Sequence, residues 1–210
     1  AADYRDTLHP MPVPVINLAR MRAWEQSTWD SGQAVETVMR RAGNAVARTA
    51  MRLTKKGSHI LILAGKGNNG GDARYAAEYM SDRIATLIDA SDPTTALAAL
   101  PRRSADLIID GLFGIGLNRP LEDDWRRLIE AVNSLNRRVL AVDCPSGLNC
   151  DTGETMGDAV RASVTVTFGA PKVGLIHPDA RELVGRIEVA DDIGLVPCPA
   201  NKGIQWILPA

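Results

Sequence analysis

Six short apolar runs, separated by helical stretches, constrain the fold of this chain more than any other feature of its sequence. From residue 58 onward the runs are HILILA, RIATLI, DLIID, RVLAVD, SVTVTF and RIEVAD. Each is rich in leucine or β-branched residues without polar alternation, which is typical of strands buried on both faces of a parallel sheet. Helical patterns lie between them near 71–80, 94–100 and 121–135. Alternating strands and helices predict a doubly wound α/β sandwich with right-handed crossovers.

Two helices are predicted ahead of these runs. Apolar residues recur at helical spacing from Leu18 and, more clearly, from Val35 to Leu53. Gly32 marks the break between the helices, because glycine commonly ends a helix. We expect a single domain over residues 1–210 with its core at about 15–196. The tail, 197–210, is either a surface-docked end or the start of a linker.

Charge and hydropathy exclude several classes of protein. The 210 residues include 24 basic and 25 acidic side chains, a formal net charge of −1. This balance leaves no basic face for nucleic acid. No apolar run approaches the roughly 18 residues of a membrane span, and no signal-peptide pattern opens the chain. We therefore expect a cytoplasmic protein whose partners are small molecules or proteins, with no nucleic acid and no membrane.

The cysteines are predicted to be free thiols. Cys144, Cys150 and Cys198 are an odd number without the spacing of a zinc site. Free thiols are usual in a reducing compartment. Cys144 has no recognisable activating base beside it, so an inert packed thiol is expected there.

The glycine-rich stretch GKGNNGGD, residues 65–72, follows the first apolar run. It satisfies the dinucleotide-binding pattern G-x-G-x-x-G, and Asp89 lies about where a ribose-binding acid belongs. The carboxylate of Asp72 argues against that function, because it would repel a pyrophosphate at the helix start. Asn68 and Asn69 add side-chain oxygens and amides that suit a sugar, an amide or a cation. A plain turn capped by Asp72 remains a further alternative.

Three more polar, glycine-rich loops follow later strands: DGLFGIGLNRP, DCPSGLNCDTG and GAPKVGL. Ligands of open parallel sheets bind at the carboxyl edge, where these loops and GKGNNGGD are expected to meet. Asp110 and Asp143 each close an apolar strand, where a carboxylate needs a cation, hydrogen-bond donors or water. With Asn69 and Ser146 they offer oxygen ligands to a hard cation, although each Asp could merely cap a turn.

Lys172 is the one cation predicted in its loop, where it could neutralise a substrate phosphate or assist proton transfer. A Ser-His-Asp hydrolase is disfavoured, because Ser146 lacks the G-x-S-x-G elbow and the three histidines are scattered. The tryptophans Trp24, Trp29 and Trp125 lie on predicted helical faces and are expected in the core or an interface.

Taken in order, these loops resemble the NAD(P)H-hydrate epimerase family. The similarity covers about residues 18–196 and includes MRAWEQ and VMRRAGNAVA in the first helices and GRIEVADDIGL near the end. The resemblance implies a Rossmann-like three-layer αβα sandwich with a mostly parallel central sheet and two N-terminal helices. It also implies an isomerase that interconverts the R and S epimers of hydrated NADH and NADPH (NADHX and NADPHX) as a metabolite-repair step. A dehydratase, fused or separate, would be its functional partner, and the apolar first helices leave a homodimer open.

The resemblance also assigns roles to residues. Those expected to bind substrate are Asn68, Asn69, Gly70, Gly71, Asp72, Gly114, Ile115, Gly116, Leu117, Asn118, Arg119, Pro120 and Asp143. A potassium ion would be held by Asn69, Asp110 and Ser146. Because the hydrated carbon is a hemiaminal, its epimerisation needs proton transfer but no redox change. We therefore predict Asp143 and Lys172 as the catalytic residues, with Asp143 as general acid/base and Lys172 orienting it or steadying developing charge.

Two neighbouring loops depart from the family pattern. Ala73 stands where the family usually continues NNGGD with glycine, and DGLFG replaces the more usual DALFG. A third departure is Cys144, which replaces a common aliphatic residue and should be tolerated. None of the three removes a proposed ligand. Two other functions remain open: a catalytically silent binding module of the same fold, and an NAD-dependent oxidoreductase that uses GKGNNG and Asp89.

Overall fold

The computed structural model describes residues 12–100, 105–199 and 203–207. The strands are β1 (Pro12–Pro14), β2 (His59–Ala64), β3 (Ile84–Asp89), β4 (Leu107–Gly111), β5 (Val139–Val142), β6 (Val164–Phe168), β7 (Arg186–Ala190) and β8 (Gln205–Ile207). The helices are α1 (Leu18–Asp30), α2 (Val35–Leu53), α3 (Asn68–Glu78), α4 (Pro93–Ala99), α5 (Asp123–Ser134) and α6 (Arg181–Val184). Two 3-10 turns, Val173–Ile176 and Pro178–Ala180, precede α6.

Six strands form one parallel sheet in the order β3-β2-β4-β5-β6-β7. The chain moves outward from β2 to β3 and then returns to place β4 on the other side of β2. The strand order therefore changes direction between β2 and β4, and ligands of such sheets bind in the crevice at that point. The loops that leave β2 and β4, which begin at Gly65 and Leu112, flank this crevice.

Helices cover both faces of the sheet. On β2, Ile60 and Ile62 pack in a core with α2 and α3, whereas Leu61 and Leu63 pack in a second core with α4 and α5. Successive side chains of a strand point to opposite faces, so an uninterrupted apolar run supplies both cores. The predicted three-layer α/β sandwich is confirmed.

The two edge strands differ from the sequence prediction. All six runs were expected to be buried on both faces, but Ile84 and Leu87 of β3 are 50% and 46% exposed. The residues of β7 are mostly half-buried. Both strands lie at an edge of the sheet, where the helical layers cover less of each face. The burial prediction holds for β4, β5 and β6 and for β2 beyond its first residue.

The first two helices lie where they were predicted, and Gly32 separates them with a positive φ of 90°. In α2, Gly43 allows close contact with α3, because a Cβ there would lie 2.6 Å from Tyr75 Cβ and 2.8 Å from the Asp72 carbonyl oxygen. This packing places the start of α3 beside the crevice. Across the described ranges, no helix is both long and apolar enough to span a bilayer.

The described part of the tail returns to the N-terminal segment. Strand β8 pairs antiparallel with β1, and the Val15 amide donates to the Ile204 carbonyl at 2.8 Å. Strand β1 also places a short strand ahead of the two helices, which the sequence did not predict. The proline-punctuated stretch HPMPVPVI, residues 9–16, predicts an extended start, and its first three residues, 9–11, lie outside the described residues.

The prediction of three free thiols was wrong. A disulfide joins Cys144 and Cys150, both fully buried, with Cα atoms 6.8 Å apart. The chain after β5 turns back on itself, with the Leu148 amide bonded to the Pro145 carbonyl, and so brings together two residues six positions apart. Sequence spacing does not reveal such a turn. The inference of a reducing compartment from free thiols therefore loses its basis.

Candidate active site

A cavity of about 630 Å³ opens at the carboxyl edge of the sheet, at the point where the strand order changes. It is lined by Arg22, Glu25, Lys66, Gly67, Asn68, Asn69, Asp72, Leu112, Phe113, Gly114, Ile115, Gly116, Leu117, Asn118, Arg119, Trp125, Asp143 and Phe168. Ten of the predicted substrate-binding residues are in this lining. The remaining three, Gly70, Gly71 and Pro120, are not.

The turn after β2 is held close to the start of α3. A Cβ on Gly70 would lie 1.9 Å from the Gly65 carbonyl oxygen, so this position has no room for a side chain. Helix α3 begins at Asn68, after Gly67 as its N-cap, and this start turns Asn68, Asn69 and Asp72 toward the crevice. The glycine at position 70 therefore shapes the cavity without lining it.

Hydrogen bonds connect Asn69, Asp110 and Ser146 through the backbone of Phe113. Asp110 is fully buried and accepts hydrogen bonds from Ser146 Oγ at 2.6 Å and from the Ser146 amide at 2.8 Å. Burial raises the pKa of Asp110 to about 6, against the opposing effect of these hydrogen bonds. Asn69 Nδ2 donates to the Phe113 carbonyl at 2.9 Å, and Ser146 Oγ accepts from the Phe113 amide at 2.9 Å.

One atom of this cluster has no partner. Asn69 Oδ1 is buried and has no hydrogen-bond donor within the described part of the chain. A buried carbonyl oxygen without a donor is costly, so an unpaired one points to a ligand at this position. In the same ranges no three His, Cys, Asp or Glu side chains form a metal-binding group. The oxygen donors here are of mixed type: a carboxylate, an amide and a hydroxyl.

Asp143 lies at the end of β5 with a φ of 63°, in the left-handed region that non-glycine residues seldom adopt. Residues held in such conformations cluster at functional sites. Its Oδ1 accepts from Lys172 Nζ at 2.6 Å, from Thr167 Oγ1 at 3.1 Å and from the Phe168 amide at 3.1 Å. These donors fix the carboxylate at the wall of the cavity.

Lys172 is buried completely. Besides Asp143, its Nζ donates to Thr167 Oγ1 at 2.9 Å and to the Phe168 carbonyl at 3.0 Å, so all three ammonium protons have acceptors. Lys172 does not line the cavity. The geometry disfavours contact with a substrate phosphate and favours the other predicted function, in which Lys172 orients Asp143.

Two further carboxyl groups face the same cavity. Burial raises the pKa of Asp72 well above its ordinary value, and the charges of Asp143 and Glu25 raise it further. Burial also raises the pKa of Glu25, as does Asp143, while Lys172 and Arg22 act in the opposite direction. Carboxyl groups that share one low-dielectric site cannot all ionise at once.

The cavity also has an aromatic wall and a cationic lining. Phe113 and Trp125 make an edge-to-face contact with ring centroids 4.6 Å apart, and Phe168 lies on the same cavity surface. Three basic side chains, Arg22, Lys66 and Arg119, supply positive charge. An apolar surface with nearby cations can accommodate a ring and anionic groups in one ligand.

The geometry gives no support to the dinucleotide and hydrolase alternatives. Asp89 accepts hydrogen bonds from Ser91 and Arg74 and does not line the cavity, so it offers no ribose-binding acid there. Ser146 is bonded to Asp110, and no histidine belongs to the cavity lining.

Comparison with known families agrees with this geometry. The family described as YjeF-related protein N-terminus matches residues 35–90 and 86–174, which is more than half of the chain. The chain belongs to this family. The resemblance found in the sequence is thereby confirmed.

Two relatives match this chain over almost their whole length, and a third matches it over part of its length. NAD(P)H-hydrate epimerase of Limosilactobacillus fermentum is 36% identical over 206 residues, covering 88% of this chain and 99% of that protein. The enzyme of the same name from Achromobacter xylosoxidans is 37% identical over 210 residues, covering 90% and 99%. A bifunctional NAD(P)H-hydrate repair enzyme of Thermofilum pendens is 36% identical over 188 residues, which span 75% of this chain and 36% of that enzyme.

A solved structure supports the fold alone. The crystal structure of the yeast protein ynu0 (YNL200c) superposes with a TM-score of 0.72 at 18% identity, covering 93% of this chain and all of that one. At this level of identity the comparison establishes that the two chains share an architecture.

Sequence reasoning missed several cavity residues of this family member. Glu25 and Arg22 lie within the segment MRAWEQ, which the resemblance included without assigning it a function. Trp125 packs against the core, as expected, and also forms part of the cavity wall, which the sequence did not predict. For these helical residues the resemblance of MRAWEQ was the one available signal, because helical periodicity does not show which polar residue faces a ligand.

Proposed function

We propose that this protein interconverts the R and S epimers of hydrated NADH and NADPH. The observation that carries the proposal is the Asp143 carboxylate, fixed by buried Lys172 at the wall of a cavity at the switch point of the sheet. Relatives that match almost end to end bear the name NAD(P)H-hydrate epimerase. The reaction is an isomerisation, so the protein is an isomerase.

Asp143 serves as a general acid/base at the hydrated carbon. That carbon bears both a hydroxyl group and the ring nitrogen, so it loses its configuration when the carbon–oxygen bond breaks or when the ring opens. Either path moves a proton to or from oxygen without any change in oxidation state. A carboxylate held by three donors keeps a fixed direction for that transfer, and Lys172 supplies positive charge beside it.

The remaining cavity residues bind the substrate. Phe113, Trp125 and Phe168 provide apolar surface for the nicotinamide ring or the adenine. Arg119 and the asparagines of the two loops provide donors for phosphate and ribose oxygens. Gly70 lets the turn after β2 approach α3. Gly71 lets α3 approach α2, because a Cβ at this position would clash with Met39 Cε.

A potassium ion fits the cluster of Asn69, Asp110 and Ser146. The unpaired Asn69 Oδ1, the buried Asp110 carboxylate and the Ser146 hydroxyl are hard oxygen donors of the kind that bind alkali and alkaline-earth ions. When bound, the ion supplies a fixed positive charge that holds the loops after β2, β4 and β5 together.

We further propose that residues 15–196 form the core of one epimerase domain and that the protein acts in the cytoplasm. A dehydratase, fused to the chain or separate, would consume the S epimer. The bifunctional relatives support a fused arrangement, because the matched segment of the Thermofilum pendens enzyme is only 36% of its length. A homodimer through the first helices remains part of this proposal.

The test is incubation of purified R-NADHX with the protein in potassium and then in sodium, with the S epimer followed by chromatography against the spontaneous rate. Acceleration is expected, with loss in sodium. Asp143→Asn should lower the rate by about 10²–10⁴-fold, the usual contribution of general acid/base catalysis. Tight ligand binding without acceleration would favour a silent binding module, and net oxidation or reduction of the nicotinamide would favour an oxidoreductase.

A further inference from the structure

Epimerisation by loss and return of the hydroxyl requires proton transfer on both faces of the ring, and Asp143 alone cannot serve both faces. On the path that breaks the carbon–oxygen bond, the hydroxyl leaves from one face of the ring and a hydroxyl returns on the other. A carboxylate fixed by three hydrogen bonds cannot follow the oxygen from one face to the other. A second proton-transferring group, carried by a different element, is therefore needed in the cavity.

Glu25 occupies a suitable place on α1. The preceding residue, Trp24, is buried against Ile16 and Ala170, and its Nε1 donates to the Val196 carbonyl at 2.7 Å. This packing holds α1 beside the end of β6. Glu25 follows directly and presents its carboxyl to the cavity, half-buried, while Asp143 reaches the cavity from the end of β5.

Charged groups of both signs surround Glu25 in the cavity. The acidic neighbours of Glu25 are Asp143 and Asp72, and its basic neighbours are Lys172 and Arg22. Lys172 is hydrogen-bonded to Asp143 rather than to Glu25. Within the described residues no hydrogen bond fixes the Glu25 carboxyl, whose pKa is raised by burial and by Asp143. Glu25 therefore differs from Asp143 in not being fixed by hydrogen bonds, and burial favours its protonated form.

We propose that Glu25 is a second catalytic residue, which exchanges a proton with the hydroxyl oxygen on one face of the ring while Asp143 does so on the other. This inference rests on the proposed epimerase function. Asp72 is less suited to the task, because only 7% of its surface is exposed, whereas Glu25 has the longer and more accessible side chain.

Protonated Glu25 gives its proton to the hydroxyl oxygen, the carbon–oxygen bond breaks with its electron pair going to oxygen, and water leaves. The lone pair of the ring nitrogen forms the carbon–nitrogen double bond. Water then attacks the other face, a new carbon–oxygen bond forms, and the released proton passes to the Asp143 carboxylate. Proton exchange with solvent resets the two carboxyls, and the reverse reaction uses them in exchanged roles.

The test compares the variants Glu25→Gln and Glu25→Ala with the control variants Glu130→Gln and Glu130→Ala. Glu130 is an exposed residue of α5 and lies outside the cavity. Glu25→Gln should lower kcat for R-NADHX by about 10²–10⁴-fold. KM should change by less than about threefold, since a group that acts in the transition state adds little to substrate binding. The Glu130 variants should match the wild type.

Two further readouts separate catalysis from a structural effect. The fall in kcat/KM on the alkaline side, where the acid loses its proton, should vanish in Glu25→Gln. Formate should restore part of the activity of Glu25→Ala by occupying the vacated space, and it should not change Glu130→Ala. The melting temperature of Glu25→Gln should equal or exceed that of the wild type, because an amide avoids the cost of a buried charge.

The possible results are distinct. A raised KM with unchanged kcat would make Glu25 a substrate-binding group and overturn the inference. A lower melting temperature without rescue by formate would make it structural. If the wild type itself fails to accelerate epimerisation, the proposed function is lost and the catalytic assignment of Glu25 is lost with it.

Discussion

The methyl group of Ala73 occupies the space that a side chain at position 111 would need. A Cβ added to Gly111 would lie 2.5 Å from Ala73 Cβ, closer than two such atoms can approach. Ala73 is fully buried in the middle of α3, and Gly111 ends β4 next to Asp110. At both positions the chain differs from the pattern expected of the family, with alanine for glycine at 73 and glycine for alanine at 111, and the two differences are sterically complementary.

This contact predicts strong coupling between the two positions. Gly111→Ala should destabilise the protein by about 1–3 kcal/mol through overpacking, and Ala73→Gly by about 1 kcal/mol through helix propensity. The double variant should be more stable than the sum of the single effects predicts. Unfolding in urea of the four proteins measures the interaction energy.

Recovery in the double variant should be incomplete, because a Cβ at position 111 would also lie 3.0 Å from the Leu63 carbonyl oxygen and 3.1 Å from that of Asn69. Strictly additive effects would mean that the backbone moves apart and that the two positions are independent.

A second prediction concerns the buried pair of Asp143 and Lys172. Removing either partner leaves an uncompensated charge at a site where Lys172 is fully buried, so Lys172→Met and Asp143→Asn should each cost about 3–5 kcal/mol. The double variant should recover much of this loss while remaining inactive. Urea unfolding and the epimerase rate, measured well below the melting temperature of each protein, separate stability from catalysis.

Lys172→Met should also lower kcat more than it raises KM, since Lys172 lies outside the cavity and acts through Asp143. A variant that loses substrate affinity with unchanged kcat would show that Lys172 contacts substrate after all.

The sequence predicted the strands well, because a continuous apolar run has few alternatives once helical patterns flank it. It did not distinguish the edge strands β3 and β7 from the central ones. Strand order, which decides how much of each face is covered, leaves no local trace. The cysteine pair was missed for a similar reason, since the turn at 145–149 brings Cys144 and Cys150 together only in three dimensions.

At the site, the residues that follow strands were found because the carboxyl ends of parallel strands meet at one edge. Glu25 and Trp125 were not, because they lie on helices whose apolar periodicity predicts a core-facing side and nothing about the cavity. Lys172 was expected to act in its loop, but the sequence did not show that the acceptors Asp143 and Thr167 hold it in a fully buried position. Long-range partners of this kind do not appear in local sequence.

A third prediction follows from Asp72. Burial and the neighbouring carboxyls raise its pKa well above the ordinary value of 3.8, so the folded protein holds the Asp72 proton more tightly than the unfolded chain. This contribution to stability is complete below about pH 4 and is lost as the pH rises through the folded pKa. Asp72→Asn should therefore gain stability over the wild type as the pH rises.

Thermal unfolding of both proteins across the acidic and neutral range tests this sign. The difference in melting temperature should grow with pH, by roughly 2–4 °C for each kcal/mol in a chain of this length. Asp30→Asn, a change at an exposed position at the end of α1, serves as a control and should show no such trend. A difference that shrinks with rising pH would mean that Asp72 is stabilised as an anion.

The last prediction concerns the ion cluster. If potassium binds through Asn69 Oδ1, it should raise the melting temperature in proportion to the logarithm of its concentration. A ligand that binds only the folded state stabilises that state by mass action, by about 2.7 kcal/mol at one hundred times its Kd. Sodium, a smaller ion, should give a weaker rise. Asn69→Leu should abolish the difference between the two salts, whereas Asn44→Ala, on α2 outside the cavity, should retain it. An equal response to both ions in the wild type would remove the cluster as a potassium site, since general salt screening does not distinguish them.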